Sequence, residues 1–81
     1  MGVGKAGPVG EFLSELRRGI GEAQAAAVAA ADAGHPYEAY LHRVRLAELL
    51  DLAVSHDIDT AALVEPAMRT ALVEDRAALE H

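Results

Sequence analysis

Small and apolar residues recur between residues 12 and 33 at alternating steps of four and three, which is the spacing of one face of an α-helix. The residues of this face are Phe12, Leu16, Gly19, Ala23, Ala26, Ala30 and Ala33. Its first half is bulky, whereas its second half offers only methyl groups, so a helix packed against it must come close. Gly34 follows as a typical helix stop. The pattern therefore predicts a first helix over about residues 11–33.

A second helix is predicted over residues 36–55, because Pro36 suits the first turn of a helix. At about 100° per residue, its apolar residues fall on two opposite sides. One side, here called the tyrosine side, contains Tyr37, Tyr40, Leu41, Val44 and Ala47, and the other, the leucine side, contains Leu46, Leu49, Leu50 and Ala53. Three helices of this size enclose only one of the two sides, so the second side predicts a partner chain.

The third apolar segment carries a helix start signal and an early proline. Asp59 suits an N-cap, and Ile58 and Leu63 are spaced as a hydrophobic staple, which predicts a helix over about residues 60–78. Pro66 would lie at the seventh position of that helix, where it removes a backbone hydrogen bond and clashes with the preceding turn. We therefore expect either a kink at Pro66 or a short turn before a main helix that begins there.

These segments predict an all-α fold, which is either a three-helix protomer or a long helical hairpin plus a third helix, self-associating into a helical bundle. The single domain is expected over residues 11–78. Residues 1–10 contain four of the seven glycines and predict a flexible N-terminal arm. Residues 79–81, Leu-Glu-His, resemble the remnant of a purification tag.

Composition narrows the classes of partner. Seven basic and 13 acidic residues give a net charge of −6, which opposes binding to nucleic acid or to an anionic membrane. Cysteine is absent, which excludes disulfides and thiol chemistry, and we expect a cytoplasmic protein. Alanine supplies 18 of the 42 apolar residues, so the core is thin and a further stabiliser such as self-association is expected.

Motifs for catalysis or metal binding are weak in this sequence. Glu38 and His42 lie one helical turn apart, but two ligands do not make a metal site. Glu48 and Asp51 share the tyrosine side, where an interfacial ion pair is a simpler role than acid–base catalysis. No residue is nominated as catalytic, cofactor-binding or metal-binding, and no cofactor is expected.

The sequence thus predicts a non-catalytic protein–protein interaction or structural module that acts as a homo-oligomer, with a dimer favoured. The expected interface residues are Tyr37, Tyr40, Leu41, Val44, Leu46, Leu49, Leu50 and Ala53. One alternative is a small-ligand binder or enzyme with a pocket between protomers, lined by Tyr37, Tyr40, Glu48 and Asp51. Another alternative is an antitoxin-like or regulatory partner of a different protein.

Overall fold

The computed structural model describes residues 8–80. It contains three helices, α1 (Pro8–Asp32), α2 (Pro36–Ser55) and α3 (Pro66–Leu79), and no strand in that range. The predicted all-α fold is therefore confirmed. The first seven residues of the predicted arm and His81 lie outside the described residues. Pro8 already begins α1, so the last turn of the predicted arm is helical.

The α1–α2 connection follows the helix stop predicted at Gly34. Gly34 has φ +81°, and its N–H donates to the carbonyl of Ala31 at 3.0 Å. The N–H of His35 donates to the carbonyl of Ala30 at 2.9 Å. These two bonds form a Schellman motif, which terminates α1 and lets Pro36 begin α2 after a three-residue turn.

The interior of the α1–α2 hairpin is made of small residues and a few large ones. Its buried residues are Leu16, Ile20, Ala23 and Ala27 of α1 and Ala39, Leu46 and Ala53 of α2. A Cβ atom on Gly19 would lie 3.4 Å from Cδ1 of Leu49, so the two helices pack closely at this level. Alanine and glycine permit this approach because they place little between the two backbones.

The buried line of α1 differs by one residue from the predicted face at two positions. Ile20 and Ala27 are buried, whereas Ala26 and Ala30 are half-buried and Phe12 is exposed. The buried residues Leu16, Ile20, Ala23 and Ala27 also advance by four, three and four, so the packed line has the predicted helical period and is centred nearer Ile20 and Ala27 than the predicted face.

The structure of the segment between α2 and α3 shows which of the two alternatives for Pro66 is correct. Asp57 adopts φ 60° after α2, and the N–H of Ile58 donates a hydrogen bond to the carbonyl of Ala53 at 3.0 Å. The carboxylate of Asp59 then accepts a hydrogen bond from the N–H of Ala61. Residues 61–63 form a turn, and α3 begins at Pro66, so the helix start predicted at residue 60 is corrected to 66.

Polar side chains fasten the start of α3 to the hairpin. The Gln24 side chain donates from Nε2 to the carbonyl of Leu63 at 3.2 Å and accepts at Oε1 from the N–H of Glu65 at 2.8 Å. Arg69 donates to the carbonyls of Ala61 and Val64 at 2.8 and 3.0 Å. Val64 and Met68 add buried apolar contact with the hairpin core.

Among the helices of residues 8–80, none is both long enough and apolar enough to cross a membrane.

Candidate functional site

The two sides of α2 have different surroundings. On the leucine side, Leu46 and Ala53 are completely buried within the chain. On the tyrosine side, Tyr37 is 70% exposed, Leu41 46% and Val44 38%. The hairpin and α3 thus cover the leucine side and leave much of the tyrosine side open to solvent.

A groove lies between α2 and α3 and continues the open side of α2. Its volume is about 370 Å³. The apolar residues that line it are Val44, Ala47 and Leu50 of α2 and Leu72, Val73 and Leu79 of α3. Along α2 the lining extends from Tyr40 to Asp51, which corresponds to about 16 Å at 1.5 Å per residue. Because Val73 is 65% exposed and Leu79 is 74% exposed, the α2–α3 groove opens to solvent.

An ion pair between α2 and α3 forms part of the groove wall. Nε of Arg43 donates to Oδ2 of Asp75 at 2.7 Å, and Nη2 donates to Oδ1 at 3.0 Å. The guanidinium carbon of Arg43 also lies 5.9 Å from the centre of the Tyr40 ring. The hydrogen bond to Asp75 raises the pKa of Arg43, although desolvation acts in the opposite direction. This two-point contact fixes the position of α3 relative to α2.

The remaining charges of the groove lie on opposite rims. Glu48 and Asp51 give the α2 rim negative charge, and Arg69 and Arg76 give the α3 rim positive charge. Arg69 is held by the carbonyls of the preceding turn. Within residues 8–80, Glu48, Asp51 and Arg76 make no ion pair. Three charged side chains of the groove are therefore free to pair with a binding partner.

The residues predicted from the sequence divide between this groove and the interior. Tyr40, Glu48 and Asp51 of the predicted pocket line the groove, whereas Tyr37 does not. Of the expected interface, Val44 and Leu50 also line it, and Leu41 is exposed on the tyrosine side beyond it.

Three residues of the leucine side are not part of the candidate interface. Leu46 and Ala53 are buried in the hairpin, so they have no surface to offer a partner. Leu49 faces Gly19 of α1 and packs on the hairpin core. The leucine side packs inside the chain because Gly19, Ala23 and Ala27 let α1 approach it closely, beside the larger Leu16 and Ile20.

Sequence reasoning missed the contribution of α3 to the groove. Val73 was assigned no role, and Leu79 was set aside as part of a tag remnant. The signal was available in the spacing: residues 69, 72, 76 and 79 fall on one side of a helix at steps of three and four. Gln24 was also missed, because no local pattern marks a side chain that bonds to residues 39 and 41 positions away.

The described residues contain little that suggests chemistry. In residues 8–80 no group of three or more histidine or acidic side chains is placed to hold a metal ion. The hydroxyls of Ser55 and Thr70 donate to helix carbonyls, and His56 packs on the ring of Phe12 with centroids 4.8 Å apart. The arrangement is suited to binding an apolar surface flanked by charges.

Comparison with protein-family models, with curated proteins and with solved structures finds no match to this chain.

Proposed function

We propose that this protein is a non-catalytic protein–protein interaction module that acts as a homo-oligomer, with a dimer favoured. The observation that supports this proposal is the continuous open surface made by the tyrosine side of α2 and the α2–α3 groove. Its apolar residues include Leu41, Val44, Val73 and Leu79, all exposed in the single chain. Contiguous apolar surface with a charged border is typical of sites that bind another protein.

The thin core gives a second, energetic reason for self-association. Three of the eight residues in the buried cluster of residues 8–80 are alanines, so the chain buries limited apolar area for its length. Covering the open face would add about 25 cal/mol for each Å² of apolar surface removed from water. A homo-oligomer therefore stabilises the fold and removes the exposed patch at the same time.

The α2–α3 groove also supports a second candidate, a small-ligand binder. Its volume of about 370 Å³ falls in the range of small-molecule sites. Tyr40, Glu48 and Asp51 offer polar groups beside an apolar floor. A small molecule that raises the melting temperature of wild type but not of an Asp51→Ala variant would favour this candidate, and a library without such a molecule would weigh against it.

Two-dimensional NMR over a dilution series tests the interaction proposal residue by residue. If the protein self-associates through this face, backbone amide shifts of residues 40–51 and 69–79 change on dilution. Residues near Gly21, on the far side of α1, provide the internal control. Unchanged spectra from micromolar to millimolar concentration, or changes confined to α1, would contradict the proposal.

The expected cytoplasmic location stays a prediction, which fractionation of native cells would test.

A further inference from the structure

The charge pattern of the α2–α3 groove narrows the identity of its occupant. One rim, on α2, carries the carboxylates of Glu48 and Asp51. The other rim, on α3, carries the guanidinium of Arg76, with Arg69 about two turns before it. A uniformly basic helix would meet repulsion at the α3 rim, and a uniformly acidic helix would meet it at the α2 rim. The occupant that suits both rims carries both signs of charge on the two sides of an apolar strip.

A second copy of this chain has that pattern. In a dimer with two-fold symmetry the same surface lies on both sides of the interface, so α2 of one copy can face α3 of the other. This places the acidic rim of each groove opposite the basic rim of its mate, twice per dimer. The apolar floors, with Val44, Leu72 and Val73, then cover each other.

The available surface is large enough for this arrangement. The 20 residues of α2 span about 30 Å and the 14 residues of α3 about 21 Å, and each helix is about 10 Å wide, so the face measures on the order of 500 Å² per chain. Two such faces bury about 1,000 Å² in total, which is the minimum expected of a specific interface.

Building on the proposed function, we propose that the occupant of the α2–α3 groove is the groove of a second copy, with Arg76 on the basic rim of each copy facing the acidic rim of the other, which carries Glu48 and Asp51. These three side chains make no ion pair within residues 8–80. The net charge of −6 per chain makes unspecific contact between copies unfavourable, so local pairing of opposite charges sets the register.

A charge exchange tests this register. One variant is Arg76→Glu, and the other is the double variant Glu48→Arg with Asp51→Arg. Each variant alone should self-associate at least tenfold more weakly than wild type, because like charges then face each other. An equimolar mixture should recover association as a heterodimer, which native mass spectrometry identifies from the two masses.

Matched controls distinguish the effect of the proposed pairing on association from the effects of net charge and of unfolding. Arg17→Glu changes the net charge as much as Arg76→Glu does, but Arg17 is on α1 and outside the groove, so it should leave association nearly unchanged. The double variant makes the chain less acidic, so general repulsion would predict tighter association, the opposite of the expected loss. Circular dichroism melting of each variant at low concentration verifies that the helices remain.

The outcomes distinguish the register from the proposed function. If wild type forms dimers but the variants assemble equally well, or the mixture recovers nothing, this register is overturned while self-association stands. If wild type is monomeric at every concentration, both the register and the homo-oligomer proposal are overturned. Saturable binding of a different protein in the groove of a monomeric wild type would likewise overturn the second copy as occupant.

Discussion

The α1–α2 hairpin and the α2–α3 junction pack by different means. In the hairpin, small residues such as Gly19 and Ala23 let the helices approach until Leu46 is fully buried. Where α3 meets the hairpin, long polar side chains add to the apolar contacts of Val64 and Met68. Arg43 of α2 reaches Asp75, and Gln24 of α1 reaches the backbone before α3. The groove lies at this second junction, where side chains bridge the two helices instead of filling the space between them.

This difference indicates how a thin-cored protein can keep a binding surface. Apolar residues that pack against alanines are buried inside the chain, as the leucine side of α2 shows. Apolar residues that face long charged side chains stay partly exposed, as Val44 and Val73 do. Hairpin substitutions should therefore unfold the protein, while substitutions at the start of α3 should loosen one helix.

Leu46→Ala should have the largest effect. The side chain is fully buried between α1 and α2, so truncation leaves a cavity and should lower the free energy of unfolding by about 2 to 5 kcal/mol. Urea denaturation measures the loss. Leu41→Ala is the control, because Leu41 lies on the open side of the same helix and should cost less than about 1 kcal/mol in the monomer. Equal losses for both variants would contradict the assignment of the two sides.

Gln24→Ala should have the next largest effect and should act locally. It removes both hydrogen bonds that join α1 to the backbone of Leu63 and Glu65, at an expected cost of about 1 to 3 kcal/mol. Amide hydrogen exchange should accelerate in residues 63–72 more than in the hairpin. Glu22→Ala, an exposed change on α1, is the control. Uniform acceleration along the chain would mean that α3 and the hairpin unfold as one unit.

Gly21→Ala should stabilise the hairpin by about 1 kcal/mol, the usual gain from replacing glycine within a helix. A Cβ atom at this position would meet no neighbour within 4 Å. Gly34→Ala is the opposing control, since φ +81° strains any residue with a Cβ and should cost about 1 kcal/mol or more. Thermal melting checks both signs, and destabilisation by Gly21→Ala would indicate a contact on this side of α1.

The Arg43–Asp75 pair should contribute the least to the free energy of unfolding. Its side chains are 21% and 22% exposed, so solvent screening limits a double-mutant cycle to a coupling of about 0.5 to 1 kcal/mol that weakens in high salt. The pKa of Arg43 is raised, so the contribution of this pair is complete below the pKa of an unfolded arginine and is lost only as the pH rises through the higher folded pKa. Titration of Arg43 therefore gives the stability of the fold no pH dependence near neutrality. A coupling of zero would show that this ion pair does not help to position α3.

The sequence was sufficient for local features of the fold. Gly34 predicted the end of α1, Pro36 the start of α2, and Pro66 one of two possible starts for α3, because caps and prolines act through the backbone nearby. The opposite sides of α2 also followed from spacing. Which side faces inward depends on the partners that α1 and α3 supply, and periodicity within α2 contains no information about them.

The candidate site could be predicted only in its α2 half. Tyr40, Glu48 and Asp51 share a helix side and were grouped for that reason. Val73, Arg76 and Leu79 approach them only after residues 56–65 turn the chain back, and that turn depends on long-range bonds such as those of Gln24. Contacts between distant segments leave no short-range pattern in a single sequence.

Sedimentation equilibrium of wild type, Val73→Glu and Val28→Glu tests the proposed interaction surface most directly. Both valines are exposed on helices, but Val73 lines the α2–α3 groove and Val28 lies on α1 away from it. We predict more than one chain per particle for wild type and for Val28→Glu, and a single chain for Val73→Glu, with helix content kept in all three. Wild type that remains a single chain up to millimolar concentration, or a Val73→Glu variant that assembles as wild type does, would contradict an interface at this groove.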